Sequence, residues 1–389
     1  MRFAFAALLV LSACATASAP APIRTLDHRT LTPAQIDSTV ARLMAANDVK
    51  GLAVALIRDG RVAYVHAYGV RDVENHLPLQ TDTIMYGASL TKATFAYMVM
   101  QLVDEHRLDL DRPLFEYLPR PLPAYEHYAD LASDPRWQRI TARMVLDHTT
   151  GFANFAFLEP DEKLRIHWDP GTRYGYSGEG IQLLQFVLAE GLHLDVGAEM
   201  QRRIFDRFGM TRTSMIWRDD FRGNLTQGYG VDGAMAPHDH RERVRAAGSM
   251  DTTISDWANF LAAVSRQEGI SDAAFRDMTS SHIGITSAQQ FPTLLDRQAD
   301  WSAIRLGYGL GWGVFETPYG RAFFKEGHDD QTGNYAICIR ERRDCLLLMS
   351  NSVRAEGIYL YLVNELLGPA NLPWSWEGYA PYDRTVQAQ

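Results

Sequence analysis

The expected secondary structure of this chain is nearly the same read from either end. Thr32-Pro33 opens a helix in which Ile36, Val40, Leu43 and Met44 fall on one stripe, with proline where the first turn has no backbone hydrogen bond to lose. Two apolar runs follow, Leu52 to Ile57 and Val62 to Val70, separated by Asp59-Gly60, a dipeptide suited to the positive φ angles of a tight hairpin. At the far end the order inverts. Tyr335 to Arg340 and Cys345 to Asn351 read as a second hairpin, and a helix with Ile358, Leu362, Leu366 and Leu367 on one face stops at Gly368. The residues between carry helix and loop signals, Ile181 to Leu188 among them, with no matching strand pattern and no internal repeat.

Such ends predict an α/β fold of the α+β type: one antiparallel sheet made from both hairpins, flanked by the terminal helices, with a mainly helical lobe inserted. The domain is expected over residues 28–367, with a sheet lobe at about 28–85 and 300–367, a helical lobe at about 86–299 and a tail at 368–389. The cleft between lobes is where chemistry belongs.

A formal charge of -9 over 389 residues gives no long-range attraction for phosphate backbones, which argues against nucleic acid as a partner and leaves a small neutral or cationic molecule. Met1 to Pro22 has the layout of an export signal: Arg2, the apolar run Phe3 to Leu11, then small residues. Within it Leu11-Ser12-Ala13-Cys14 resembles the lipobox of bacterial lipoproteins, so Cys14 is expected to be lipidated and to tether the protein to a membrane of the periplasm or cell envelope. Cleavage near Ala17-Ser18-Ala19 is the rival, disfavoured because Pro20 would follow the cut. No other stretch is apolar for long enough to span a bilayer. Cys338 and Cys345 flank the polar turn Arg340-Glu341-Arg342-Arg343 at equal distance from its middle, which suits either a cross-strand disulfide or two buried thiols.

Chemistry concentrates in Tyr86-Gly87-Ala88-Ser89-Leu90-Thr91-Lys92, which leads into the apolar helical run Ala93 to Val103. Ser89 at a helix start lies near unpaired N–H groups and the positive end of the helix dipole, and Lys92 follows on the same face. The competing reading is an ordinary N-cap serine and a lysine reaching past apolar surface to water. Ser-x-x-Lys alone is weak, since a chain of this length contains it about once by chance.

Other segments turn the balance. Ile140 to Gly151, Pro170 to Gly178, Ala247-Gly248-Ser249-Met250 through Asp256, and Tyr308-Gly309-Leu310-Gly311-Trp312 occur in an order that, with the Ser89 segment, resembles the serine β-lactamase and penicillin-binding protein family, above all its class C, DD-peptidase and esterase branch. The similarity runs over roughly residues 32 to 367. It implies a serine hydrolase that forms an acyl-enzyme without metal or cofactor, with Ser89, Lys92, Tyr176 and Lys325 as catalytic groups. Lys325-Glu326-Gly327 takes the Lys-Thr-Gly position, Lys92 and Tyr176 share the proton relay, and the backbone N–H groups of Ser89 and His328 form the oxyanion hole. Gly178, Gly327 and Asp329 are expected at the substrate, Gly327 because a missing side chain lets it approach the strand. A shifted alignment places His328 in the lysine position instead. His148 is expected to be a packing group.

By this resemblance Gly178 stands where β-lactamases carry an asparagine, and Asp329 and Asp330 crowd the turn after Lys325; the first weakens lactam turnover and the second favours small esters, or amides with a free amino group, over anionic β-lactams. The alternatives are a β-lactamase or DD-carboxypeptidase proper, and a non-hydrolytic lipoprotein that binds cell-wall peptides. Gly175 to Glu179 does not make a nucleophile elbow, since its fifth residue is not glycine and no strand leads in, and His238-Asp239-His240 matches no standard zinc spacing.

Overall fold

The computed structural model describes residues 22–383, so the leader segment with Cys14 lies outside the described residues. A nine-stranded sheet forms the centre. Its strands, in chain order, are β1 (Gly51–Arg58), β2 (Arg61–Asp72), β3 (Leu77–Pro78), β4 (Ile283–Gly284), β5 (Gly307–Tyr308), β6 (Gly313–Thr317), β7 (Gly320–His328), β8 (Gly333–Ile339) and β9 (Asp344–Ser350). Their spatial order is β4-β5-β6-β7-β8-β9-β1-β2-β3, every neighbour antiparallel.

The two expected hairpins meet edge to edge. β9 pairs with β1 from Cys345 opposite Ile57 to Ser350 opposite Leu52, which joins the chain's ends in mid-sheet. Asp59 and Gly60 adopt φ of 46° and 73°, the left-handed pair that lets strands twist into a two-residue turn. Cys338 and Cys345 face each other across β8 and β9 and are joined by a disulfide, which resolves the open pairing.

Alternation along β1 divides the core. Leu52, Val54 and Leu56 point to the terminal helices α1 (Pro33–Ala46) and α5 (Glu356–Leu362), while Ala53, Ala55 and Ile57 point to the inserted helices. α1 begins with a capping box between Thr32 and Gln35 and buries Ile36, Val40, Leu43 and Met44. α5 continues as a π-helical turn to Leu367, and Gly368, at φ 134°, ends it. The segment after Gly368 folds back onto this face, where Ala370, Leu372, Trp376 and Tyr379 join the same core.

On the opposite face lie α2 (Leu90–Asp104), α3 (Gly178–Glu190) and α4 (Ile254–Ser265), with short helical turns and small ladders between them. α2 buries every residue from Leu90 to Leu102, as its apolar run requires, and is the axis of this half. No helix among the described residues is long and apolar enough to cross a membrane.

Candidate active site

The turn into α2 is held from behind. Gly87 N donates to Met250 O at 2.9 Å, and Ala88 takes a left-handed φ of 46°, uncommon for a residue with a side chain. Ser89 occupies the N-cap position, but its hydroxyl makes no capping hydrogen bond. The N-cap alternative therefore fails: Oγ is not spent on the helix. Lys92, one turn on, places Nζ 3.0 Å from that Oγ and donates to Ala247 O at 2.5 Å. Only 2% of Lys92 is exposed, which removes the other bland reading, an ammonium in water. Burial first, and then the positive charge of Lys325, push Lys92 well below the ordinary lysine range.

Lys325 reaches the same centre from β7. Its Nζ lies 3.2 Å from the Tyr176 hydroxyl, and it is fully buried. Tyr176 precedes the first turn of α3, and its ring sits 5.0 Å from Lys92 Nζ and 4.8 Å from Lys325 Nζ. Burial raises the Tyr176 phenol well above its usual value, and Glu326 adds to the effect against a hydrogen bond from Ser89. Four side chains from three separate segments thus converge: a hydroxyl, two amines and a phenol. His328 does not take the lysine position. Its Nδ1 turns to Glu356 Oε1 at 2.9 Å, and although burial opposes the charge, this carboxylate raises the imidazole above its ordinary value.

Gly327 has a different reason from the expected one. A Cβ there would lie 2.7 Å from Gly87 O, 2.9 Å from Leu90 N and 3.1 Å from Ser89 N, so the space it leaves is taken by the Ser89 turn itself rather than by substrate. Gly178 also departs from expectation. A Cβ on it would meet the Phe155 ring at 2.4 Å, and Gly178 N donates to Asn154 Oδ1 at 3.0 Å; Asn154 and Phe155, not Gly178, face the cleft. Asp329 does line the cleft, with Oδ1 accepting from Gln331 N and Thr332 N at 2.9 and 2.8 Å. The cleft holds about 1170 Å³ and has Ser89, Lys92 and Tyr176 on its floor.

Glu326 escaped the sequence reading. It is buried beside Lys325, accepts from its Nζ at 2.5 Å and from Gln290 Nε2 at 2.9 Å, and Lys325 holds it below the ordinary carboxylate range despite burial. Burial pulls Lys325 down, and Glu326 partly offsets this. The missed signal is an acidic residue in the centre of a Lys-x-Gly strand, where a charge is tolerated only with a partner. His148 packs as expected, but on a site residue: its ring lies 4.3 Å from that of Tyr176, and Nδ1 accepts from Ser177 N at 3.2 Å. His238 bonds to Asp251 at 3.1 Å and His240 stacks on Trp217 at 3.6 Å; no cluster of three metal-ligating side chains occurs among the described residues.

The arrangement can do acyl transfer: a hydroxyl free to attack, an amine whose charged form burial disfavours, and a phenol beside a second lysine that is paired with a carboxylate. Comparison with known proteins agrees. The sequence signature of the Beta-lactamase family matches residues 36–362. The chain is 23% identical over 337 residues to a β-lactamase of Escherichia coli, covering 84% of this chain and 79% of that one. It is 26% identical over 327 residues to a lovastatin esterase of Penicillium rubens, covering 71% and 82% respectively. Its fold is similar to that of the octameric penicillin-binding protein homologue from Pyrococcus abyssi, with a TM-score of 0.70 at 22% identity, over 87% of this chain and 78% of the other.

Proposed function

The chain belongs to the Beta-lactamase family and is a serine hydrolase, and from that premise we propose that it cleaves small esters and amides through an acyl-enzyme on Ser89, with little or no turnover of β-lactams. The observation that carries this reading is the 3.0 Å approach of Lys92 Nζ to a Ser89 hydroxyl that caps nothing. Lys92, whose charged form is disfavoured by burial and by Lys325, takes the proton as Oγ attacks the carbonyl carbon. Tyr176 is the weaker base candidate, because burial makes its phenol hold its own proton at neutral pH. It serves as the bridge by which the proton on Lys92 returns to the leaving oxygen or nitrogen. Backbone N–H groups of Ser89 and His328 receive the oxyanion, and water attacking the acyl-enzyme repeats the steps in reverse.

Substrate preference rests on what lines the cleft. The rim carries Asp232, Asp329 and Asp330 against one guanidinium, Arg245, which favours uncharged or cationic substrates over anionic β-lactams. Kinship with both a β-lactamase and an esterase leaves both chemistries within the family's reach. A panel of short esters, aminoacyl amides and β-lactams run against wild type and Ser89→Ala is the test. Turnover should vanish in the variant with the fold intact, and fluorophosphonate should label wild type only at Ser89. A cephalosporin cleaved faster than every ester and aminoacyl amide would reverse the preference. Export and lipid attachment at Cys14 belong to the same proposal; a Cys14→Ala protein that stays in the membrane fraction would contradict them.

A further inference from the structure

The cleft above Ser89 carries more exposed apolar surface than the acyl-transfer chemistry requires. Phe157 is 64% exposed, and Phe155 stacks on it with ring centroids 5.2 Å apart and planes within 10°. A single exposed phenylalanine needs no account. This pair is different, because the start of α3 is committed to holding it. Gly178 N and Glu179 N donate to Asn154 Oδ1 and O at 3.0 and 2.9 Å, Ala156 N donates to Glu179 Oε1 at 3.0 Å, and Ser177 Oγ donates to Ala153 O at 2.9 Å. Gly178 completes the clamp, since any side chain would collide with the Phe155 ring.

A second apolar group lines the same cleft. The hairpin at residues 228–236 carries Val231, 72% exposed, and Met235, 45% exposed. Gly230 N closes its turn onto Ala234 O at 2.9 Å, and Arg354 Nε donates to Val231 O at 2.8 Å. Three exposed apolar side chains and the half-buried ring of Phe155 thus line one opening. Its volume, about 1170 Å³, exceeds the roughly 300–1000 Å³ usual for small-ligand sites and far exceeds what an acetyl group fills.

Resting on the hydrolase reading above, we infer that the substrate carries a bulky apolar group on one side of its scissile bond, and that the Phe155–Phe157 pair with Val231 and Met235 covers that group during acylation. Burial of such a group recovers the apolar surface that the free protein leaves in water.

The test uses two series of esters on the purified protein. One varies the acyl chain of p-nitrophenyl esters from acetate to hexanoate; the other varies the alcohol of an acetate ester from methyl to hexyl. In at least one series kcat/KM should rise, by up to about fourfold per methylene where the chain is fully covered. Phe157→Ala and Met235→Ala should flatten that slope. Leu158→Ala removes an equally exposed side chain, 62% accessible, that does not line the cleft, and should leave the slope as it is. Phe157 and Leu158 are exposed enough that neither substitution threatens folding. Two flat series in a protein whose Ser89 is still labelled by fluorophosphonate would overturn the apolar-substrate inference alone, as would a slope unmoved by either cleft substitution. Loss of both ester turnover and labelling would remove the hydrolase reading with it.

Discussion

Gly327→Ala should disable the enzyme without touching any group that reacts. In β7 this glycine backs directly onto the turn that presents Ser89. A methyl there would stand 2.7 Å from Gly87 O, against the 3.4 Å at which ordinary contact begins, so strand and turn must separate by about 0.7 Å. The three atoms it meets are all backbone, Gly87 O, Leu90 N and Ser89 N, and no side chain can swing aside to relieve the clash. Close-packed interiors transmit such a displacement rather than absorb it.

What the separation breaks is the relation between Ser89, carried by α2, and the amide of residue 328, carried by β7. The Ser89–Lys92 pair shares one helix and moves as a unit. Losing one oxyanion donor costs about 10²–10³-fold in kcat, and misplacing reacting groups by about 1 Å costs about 10²-fold, so the expected loss is about two orders of magnitude. The overpacking also costs about 1–3 kcal/mol of stability. The assay pairs ester kinetics with thermal melting and the rate of fluorophosphonate labelling. Both kcat and labelling should fall together while the protein still melts cooperatively. Gly284→Ala is the control, because a Cβ there meets nothing within 4 Å, and it should change neither. A Gly327→Ala protein with wild-type kcat would refute the claim that this contact sets the geometry of the nucleophile.

Two further outcomes follow from buried charge and a third from the disulfide. Glu326→Gln strips buried Lys325 of its counter-ion; breaking such a pair costs about 3–5 kcal/mol and drives Lys325 to shed its proton. The carboxylate that raises Lys92 is lost as well, but at Lys92 the lowering by Lys325 outweighs the raising by Glu326, so with both charges gone the acid limb of the pH profile of kcat/KM should move to higher pH. An acid limb that stays in place or moves to lower pH would refute the claim that Lys325 is the dominant charge at Lys92. Burial pushes Asp147 up to about 7 against an unfolded value of about 3.9. Between those values the folded protein keeps a proton that the unfolded chain releases, so stability should decline as pH rises from about 4 to 7, by about 4 kcal/mol at most, and level off above. Asp147→Asn should abolish that slope in urea denaturation at pH 5 and 7.5. Reducing the Cys338–Cys345 disulfide, whose cysteines are only 7 residues apart, should lower the urea midpoint by the equivalent of about 2 kcal/mol, and an unchanged midpoint under reductant would count against the bond.

Legibility of the fold followed from where the hydrophobic periodicity was clean. The hairpins and terminal helices announced themselves through period-2 and period-3.6 runs bounded by Asp59-Gly60 and Gly368, and the sheet contains them within two residues of the expected ends. The segment after Gly368 looked like a tail because no periodicity organises it, yet Trp376 and Tyr379 bury themselves one aromatic at a time. Ser89 and Lys92 could be read locally because one helical turn joins them. Tyr176 and Lys325 could not, being 149 residues apart in sequence; only the ordered resemblance of several segments brought them to one place.

The two glycines show why even a correct position can carry a wrong reason. Sequence records that a side chain is missing but not what fills the gap. At Gly327 the filler is the Ser89 turn, and at Gly178 it is the Phe155 ring. Both therefore act on the site by letting another part of the chain approach, one to seat the nucleophile and the other to raise an apolar wall beside it. An argument from residue type alone assigns such positions to the substrate, because an empty space in a cleft looks like room for a ligand. The neighbouring atoms decide otherwise: a glycine serves substrate only if its missing Cβ would have pointed into solvent, and neither of these does.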